Sequence, residues 1–230
     1  MTSALSIAAL KRGVMVSAPI LLVAFTLLHG ADELVAHGGP PEPDEWLRYL
    51  STIQERWLAL HVAGLALFPL LGLVVLWMLP ADGTASRVSR VALAAYIVLY
   101  PAFDALVGIG SHILIQYRQS LSPADRPVID TVIKDLFYDQ SGIAFKLAAS
   151  GSITWGVGLI AAAVGLWRGR RWPVALPLAV AGVAMSVNHA PPFGTLTAIM
   201  LGAAVWQFLT HADQASVWVR IRSDGVRSPA

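Results

Sequence analysis

The sequence has no cysteine and few charges, since only 13% of its 230 residues are Asp, Glu, Lys or Arg. Without thiols the chain cannot form disulfides, thiolate metal sites or iron–sulfur clusters. Its charged side chains are too few to cover a water-soluble globule, because 56% of the residues are hydrophobic and the mean hydropathy is +0.64. We therefore expect an integral membrane protein whose main partner is the lipid bilayer.

Several motifs that define soluble enzymes are also absent. The chain has no P-loop, no dinucleotide-binding fingerprint and no Gly-x-Ser-x-Gly nucleophile elbow. Its lysines lie at segment ends or in loops, which excludes a retinal-type lysine in mid-membrane. The net charge of +2 does not indicate nucleic-acid binding, because the basic residues form short groups at the ends of apolar segments.

The apolar segments predict an all-α transmembrane bundle that forms a single domain over residues 1–230. A helix needs ~20 residues to cross the bilayer, and the segments lack the period-two alternation of a membrane barrel. The expected spans are residues 13–28, 57–79, 91–116, 143–167, 172–187 and 193–209. The first segment resembles a signal peptide, but we expect it to be retained because no small-x-small cleavage site follows it.

Two further segments are amphipathic and are expected on the extracytoplasmic side, over residues 44–56 and 122–138. In the first, Asp44 is positioned as a helix cap, and apolar residues recur at helical spacing into the second span. In the second, Ser122-Pro123-Ala-Asp125 predicts the helix start. Helices of this kind lie in the headgroup plane or pack over the mouth of a bundle.

The distribution of basic residues predicts the orientation. If the N-terminus is cytoplasmic, ten of the 16 Lys and Arg residues lie inside, and ten of the 14 acids lie in outer segments. The positive-inside rule then favours six spans with both termini in the cytoplasm. We expect the cytoplasmic membrane of a prokaryote.

Packing and anchoring residues are recognisable within these spans. Ala148, Ser152 and Gly156 are spaced by four, which predicts a face for close helix packing. Pro69 and Pro101 are expected to loosen their helices. Most tryptophans are interpreted as anchors at the membrane boundary, among them Trp57, Trp77, Trp167, Trp172 and Trp206.

Histidines are the main indication of chemistry. With this threading, five of the six come near the extracytoplasmic side: His29, His37, His61, His112 and His189. If the first helix continues, Asp32 and Glu33 share a face with His29.

Asp104 is the one acid expected near the bilayer centre. A carboxylate at that depth costs ~2.5–3.5 kcal/mol unless it is neutral, paired or ligating, so it carries a functional hypothesis. Gly108 and Ser111 share its face of the third span, and His112 flanks that face. Its predicted partners are His61, His112 or Lys146. The structural alternative is that Asp104 is protonated, or hydrogen-bonded to Ser111, Tyr100 or a neighbouring helix, and only locks the bundle.

These residues predict a divalent transition-metal site for zinc, copper or iron. The expected ligands are His29, His61, His112, His189 and Asp32, with Asp104 and Glu33 in catalytic roles as general base or outer support. Such a site would suit a metal-dependent membrane enzyme that activates water or oxygen. The pattern is a constellation only, because no HExxH spacing is present.

Two alternatives stay open. His61 and His112 could bind b-type haem between facing helices for quinone-linked electron transfer, with Gly64, Gly108 and Gly110 leaving room for the porphyrin. The other alternative is a cofactor-free scaffold, assembly component or small transport subunit. That protein would associate with other membrane subunits or with copies of itself.

Overall fold

A computed structural model of the chain describes residues 2–29, 43–188 and 191–225. These residues form nine α-helices and one π-helix, with no strand among them, which confirms the predicted all-α class. The elements are α1 (Thr2–Leu28), α2 (Pro43–Thr52), α3 (Gln54–Met78), α4 (Thr84–Asp104), the π-helix (Ala105–Ile109), α5 (Gly110–Ser120), α6 (Arg126–Tyr138), α7 (Ile143–Arg168), α8 (Trp172–Val187) and α9 (Phe193–Gly225).

Several helices are suited to a bilayer, as the composition predicts. Among the described residues, five helical stretches are long and apolar enough to cross it: Ser6–Leu28, Gln54–Met78, Thr84–Ser120, Arg126–Arg168 and Phe193–His211. Helix α8 is also apolar but has only 16 residues. The chain therefore has the helices of a multi-pass membrane protein.

The long helices form a closed ring. In the order α1, α3, α4, α7, α8 and α9, each helix packs against the next, and α9 returns to α1. The interior is filled by large side chains, among them Phe68, Leu71, Tyr96, Tyr100, Trp155, Leu159 and Leu178. Other large apolar side chains point outward, including Ile20, Val98, Ile153 and Trp206. Apolar residues on both the inside and the outside are what a bundle in lipid requires.

Small residues bring α7 close to α8, as predicted. A Cβ atom on Gly156 would lie 2.4 Å from Ser186 Oγ, and that hydroxyl donates to the carbonyl of Ser152 at 3.0 Å. The glycine leaves room for the Ser186 hydroxyl, which a side chain at position 156 would displace.

Helices α2, α5 and α6 cover one end of the ring, where α3 begins. Their buried apolar residues, together with Trp57 of α3, form the cap cluster, which consists of Leu47, Leu50, Trp57, Ile115 and Ile133. The Arg118 guanidinium bonds both carboxylate oxygens of Asp130 and so ties α5 to α6. This end of the bundle is therefore closed by packed side chains.

The two amphipathic segments differ in detail from the prediction. Residues 44–56 do not form one helix, because the chain bends at Ile53 between α2 and α3. The second helix begins at Arg126 instead of near Ser122. Ser122 Oγ donates to the Asp125 carboxylate at 2.6 Å, so this serine stabilises a turn that precedes the helix.

The interpretation of Trp57 as a membrane anchor is wrong. Its side chain is only 3% exposed and belongs to the cap cluster. Trp167, Trp172 and Trp206 are about 60% exposed or more, as expected of residues that face lipid or its boundary.

Candidate functional site: a buried histidine–aspartate pair

The structure describes four of the predicted site residues. His29, His61, Asp104 and His112 are all buried, with exposed fractions of 8%, 3%, 2% and 4%. The other predicted positions lie outside the described residues: Asp32, Glu33 and His189, together with His37.

His61 of α3 faces Asp104 at the end of α4. His61 Nε2 and Asp104 Oδ1 are 3.7 Å apart, which is beyond hydrogen-bond length but within the range of an ion pair. The second carboxylate oxygen, Asp104 Oδ2, is buried and has no hydrogen-bond partner among the described residues. Of the partners predicted for Asp104, the structure thus brings His61 to it, whereas Lys146 is exposed.

Two glycines allow this approach, one on each side of the helix contact. A Cβ atom on Gly64 of α3 would lie 2.4 Å from Asp104 Oδ2. A Cβ atom on Gly108 of the π-helix would lie 2.0 Å from the His61 ring. Each helix therefore has a glycine opposite the polar side chain of the other, so that His61 and Asp104 can both fit at the contact.

The His61 ring is held in one orientation by a backbone carbonyl. Its Nδ1 lies 2.7 Å from the carbonyl oxygen of Trp57, one helical turn earlier. A carbonyl can only accept, so Nδ1 carries the proton, and in the neutral ring the lone pair is on Nε2. This is the nitrogen that faces Asp104.

Trp57, a member of the cap cluster, packs against His61 and His29. Its ring centroid is 4.1 Å from that of His61 and 5.1 Å from that of His29. Its indole N–H lies 3.0 Å from both the Gly108 carbonyl and Ser111 Oγ. The sequence interpretation missed this role, although Trp57 is four residues before His61 and therefore on the same face of the helix.

His29 joins the same group of rings, whereas His112 does not. The His29 and His61 ring centroids are 5.2 Å apart, so the structure brings these two of the predicted histidines together. His112 Nδ1 lies 3.1 Å from the Gln54 carbonyl at the start of α3. Its ring makes none of the ring contacts that link His29, Trp57 and His61.

A π-helix follows Asp104 directly and was not expected. Gly110 N–H bonds to the carbonyl of Ala105, five residues earlier, instead of to the carbonyl four residues earlier. One extra residue in a turn rotates the following helix by ~100°. The direction of Ser111 and His112 relative to Asp104 therefore differs from that in the uninterrupted helix predicted from the sequence.

The predicted cofactors can be compared with this geometry. Within residues 2–29, 43–188 and 191–225, no three His, Asp or Glu side chains form a group ready to hold a metal ion. The space that Gly64 and Gly108 were expected to leave for a porphyrin is filled by Asp104 and His61 themselves.

Comparisons with protein-family models, curated proteins and solved structures find no match to the chain.

The chemistry available to the pair follows from its geometry. Asp104 Oδ1 lies 3.7 Å from His61 Nε2, and Asp104 Oδ2 has no hydrogen-bond partner within the part of the chain that the structure describes. Two lone-pair donors that do not bond to each other can together accept a cation.

We predict that Gly108→Ala separates the pair. The added methyl group would overlap the His61 ring, and overpacking of this kind lowers the free energy of unfolding by ~1–3 kcal/mol. Gly110→Ala is the matched control, because its Cβ would have only the Ala105 carbonyl oxygen near it, at 4.0 Å. The free energy of unfolding of both variants can be measured in detergent. Equal stability of Gly108→Ala and Gly110→Ala would contradict the close contact between Gly108 and His61.

We predict that Asp104→Asn stabilises the protein when metal is removed by a chelator. A neutral amide costs less to bury than a carboxylate that lacks a hydrogen bond, so the free energy of unfolding should rise by ~1–3 kcal/mol. Asp130→Asn, which breaks the partly exposed bond to Arg118, should instead cost ~1 kcal/mol or less. A loss of ~3–5 kcal/mol for Asp104→Asn would show that the pair is a structural ion pair.

Proposed function

We propose that this protein binds a divalent transition-metal ion between His61 and Asp104, inside a multi-pass membrane bundle. The supporting observation is the 3.7 Å separation of His61 Nε2 and Asp104 Oδ1. Two donors that each lie ~2.0–2.2 Å from one tetrahedral ion are ~3.3–3.6 Å apart, whereas a direct hydrogen bond would bring them to ~2.7–3.0 Å. The spacing therefore resembles one edge of a coordination shell.

The support around His61 agrees with this proposal. Histidine ligands commonly donate their second ring N–H to a carbonyl or carboxylate, which fixes the tautomer and leaves the other nitrogen for the metal. His61 Nδ1 has such a bond to the Trp57 carbonyl. In the proposed site, Asp104 Oδ2 would also gain a partner in the ion or in a bound water.

His29 is the proposed third ligand. Two imidazoles on one tetrahedral ion have centroids ~5 Å apart, and the His29 and His61 centroids are separated by 5.2 Å. His112, His189 and Asp32 stay predicted ligands, and Glu33 stays a predicted general base. A site of imidazole and carboxylate donors suits zinc, copper or non-haem iron.

The proposed activity is that of a metal-dependent membrane enzyme. A metal ion in such a site lowers the pKa of bound water or binds oxygen, and the burial of His61 and Asp104 would limit access by bulk water. The chain's own contribution is to orient His61 and to hold Asp104 beside it. We further propose that the pair lies in the extracytoplasmic half and that both termini are cytoplasmic, because of the ten-to-six division of basic residues.

Metal binding is the direct test. Purified protein stripped with chelator should bind one Zn²⁺ or Co²⁺ per chain, and His61→Ala or Asp104→Asn should weaken binding by ~100-fold or more. Affinity should fall as the solution is acidified, because protons compete with the metal for imidazole. Calorimetry and metal analysis measure both effects.

His211→Ala serves as the control for that titration, because His211 is exposed and its Nδ1 bonds within its own helix. Its affinity should equal that of the unchanged protein. If His211→Ala weakens Zn²⁺ binding and His61→Ala does not, the ion binds elsewhere in the protein. A metal-free protein with no measurable affinity would refute the proposal and favour a cofactor-free scaffold or transport subunit.

The proposed orientation predicts which loops are reached from outside. Because the natural chain has no cysteine, Ala124→Cys before α6 and Asp82→Cys between α3 and α4 each introduce a single thiol. A membrane-impermeant maleimide applied to intact cells should label Ala124→Cys and should label Asp82→Cys only after lysis. The reverse pattern would show that the bundle is inserted the other way.

A further inference from the structure

We infer that Trp57 is a positioning residue that holds the π-helix against α3, so that Asp104 stays beside His61. The inference rests on the proposed metal site and adds to it a residue that is not itself a ligand. Trp57 is 3% exposed and lies in the contact between α3, the π-helix and the cap cluster.

The indole N–H is the group that reaches across the contact. It lies 3.0 Å from the Gly108 carbonyl and 3.0 Å from Ser111 Oγ, while Ser111 Oγ donates to the same carbonyl at 3.0 Å. One donor on α3 is therefore shared between two acceptors on the interrupted helix. Both acceptors lie within seven residues of Asp104 along that helix.

The π-helix gives this bond its importance. A π turn is an irregular segment that surrounding contacts must stabilise, because the α-helical pattern competes with it. Gly108 lies in that turn and touches the His61 ring. By bonding the Gly108 carbonyl, Trp57 favours the arrangement in which both Gly108 and Asp104 face His61.

Trp57 also acts on His61 from within α3. Its carbonyl accepts from His61 Nδ1 at 2.7 Å, and its ring packs on the imidazole with centroids 4.1 Å apart. The Trp57 ring also lies near Phe137 of α6, with the two ring centroids 6.3 Å apart. Trp57 thus links the cap cluster to His61 directly, and to the helix that carries Asp104 through the Gly108 carbonyl.

The experiment compares Trp57→Phe with Trp155→Phe. Phenylalanine keeps a ring at either position and removes only the indole donor together with part of the ring area. Trp155 is the matched control, because it is fully buried and its indole donates to the Ala181 carbonyl at 3.2 Å between α7 and α8. Both variants should lose a similar amount of thermal stability.

Metal affinity should separate the two variants. We expect Trp57→Phe to lower Zn²⁺ affinity by ~10–100-fold, the usual effect of removing an outer support of a metal site, and Trp155→Phe to leave it unchanged. If the unchanged protein binds Zn²⁺ and Trp57→Phe binds it equally well, the inference is overturned while the proposed function stands.

A second readout does not depend on metal. It uses the ring ¹⁵N NMR signals of His61, which are assigned by their loss in His61→Ala. Adding Asp104→Asn should shift these signals, both in the otherwise unchanged protein and in the Trp155→Phe variant. In Trp57→Phe this response should be lost, because Asp104 is no longer held beside the ring. If the unchanged protein binds no Zn²⁺, the proposed function fails. Separately, if Asp104→Asn still shifts the His61 signals in Trp57→Phe, the positioning role of Trp57 is overturned.

Discussion

The close contact of α3 with the end of α4 and the π-helix that follows it is the constraint on which the candidate site depends. Gly64 leaves space for the Asp104 carboxylate, and Gly108 leaves space for the His61 imidazole. The two facing segments each provide one glycine and one polar side chain. They can therefore pack closely enough to bring His61 and Asp104 together. The ring of long helices around this contact keeps the pair buried, and the cap cluster closes the nearer end.

This arrangement is costly in a membrane protein. A buried carboxylate oxygen without a hydrogen bond destabilises the fold, and so does an irregular helical turn. Both features occur at adjacent positions, since Asp104 directly precedes the π-helix. Proteins commonly accept such local costs at sites where a ligand binds, because the ligand supplies the missing interactions. A cation would do so here for Asp104 and for the lone pair of His61.

Hydrophobic runs were sufficient to predict the all-α class and the approximate positions of the long helices, because a helix in lipid must satisfy its own backbone hydrogen bonds. The sequence also singled out Asp104 and named His61 among its partners, since ionisable residues are rare inside membranes, and the structure places the two side chains 3.7 Å apart. The bend at Ile53 and the π-helix were not predicted, because the helical spacing of apolar residues continues through both, and the π-helix is bonded by Trp57, which is 51 residues away from Gly108. For the same reason the burial of Trp57 was missed: a tryptophan at a span end packs either inward or toward lipid, and only the partners Gly108 and Ser111 decide which.

X-ray absorption at the zinc edge is the most direct measurement of the central claim. On protein loaded with one Zn²⁺ per chain, the account predicts nitrogen and oxygen ligands at ~2.0–2.2 Å with the outer-shell scattering of imidazole. The imidazole contribution should decrease in His61→Ala. A shell of water oxygens alone, or an imidazole signal that is unchanged in His61→Ala, would contradict a metal site at the His61–Asp104 pair.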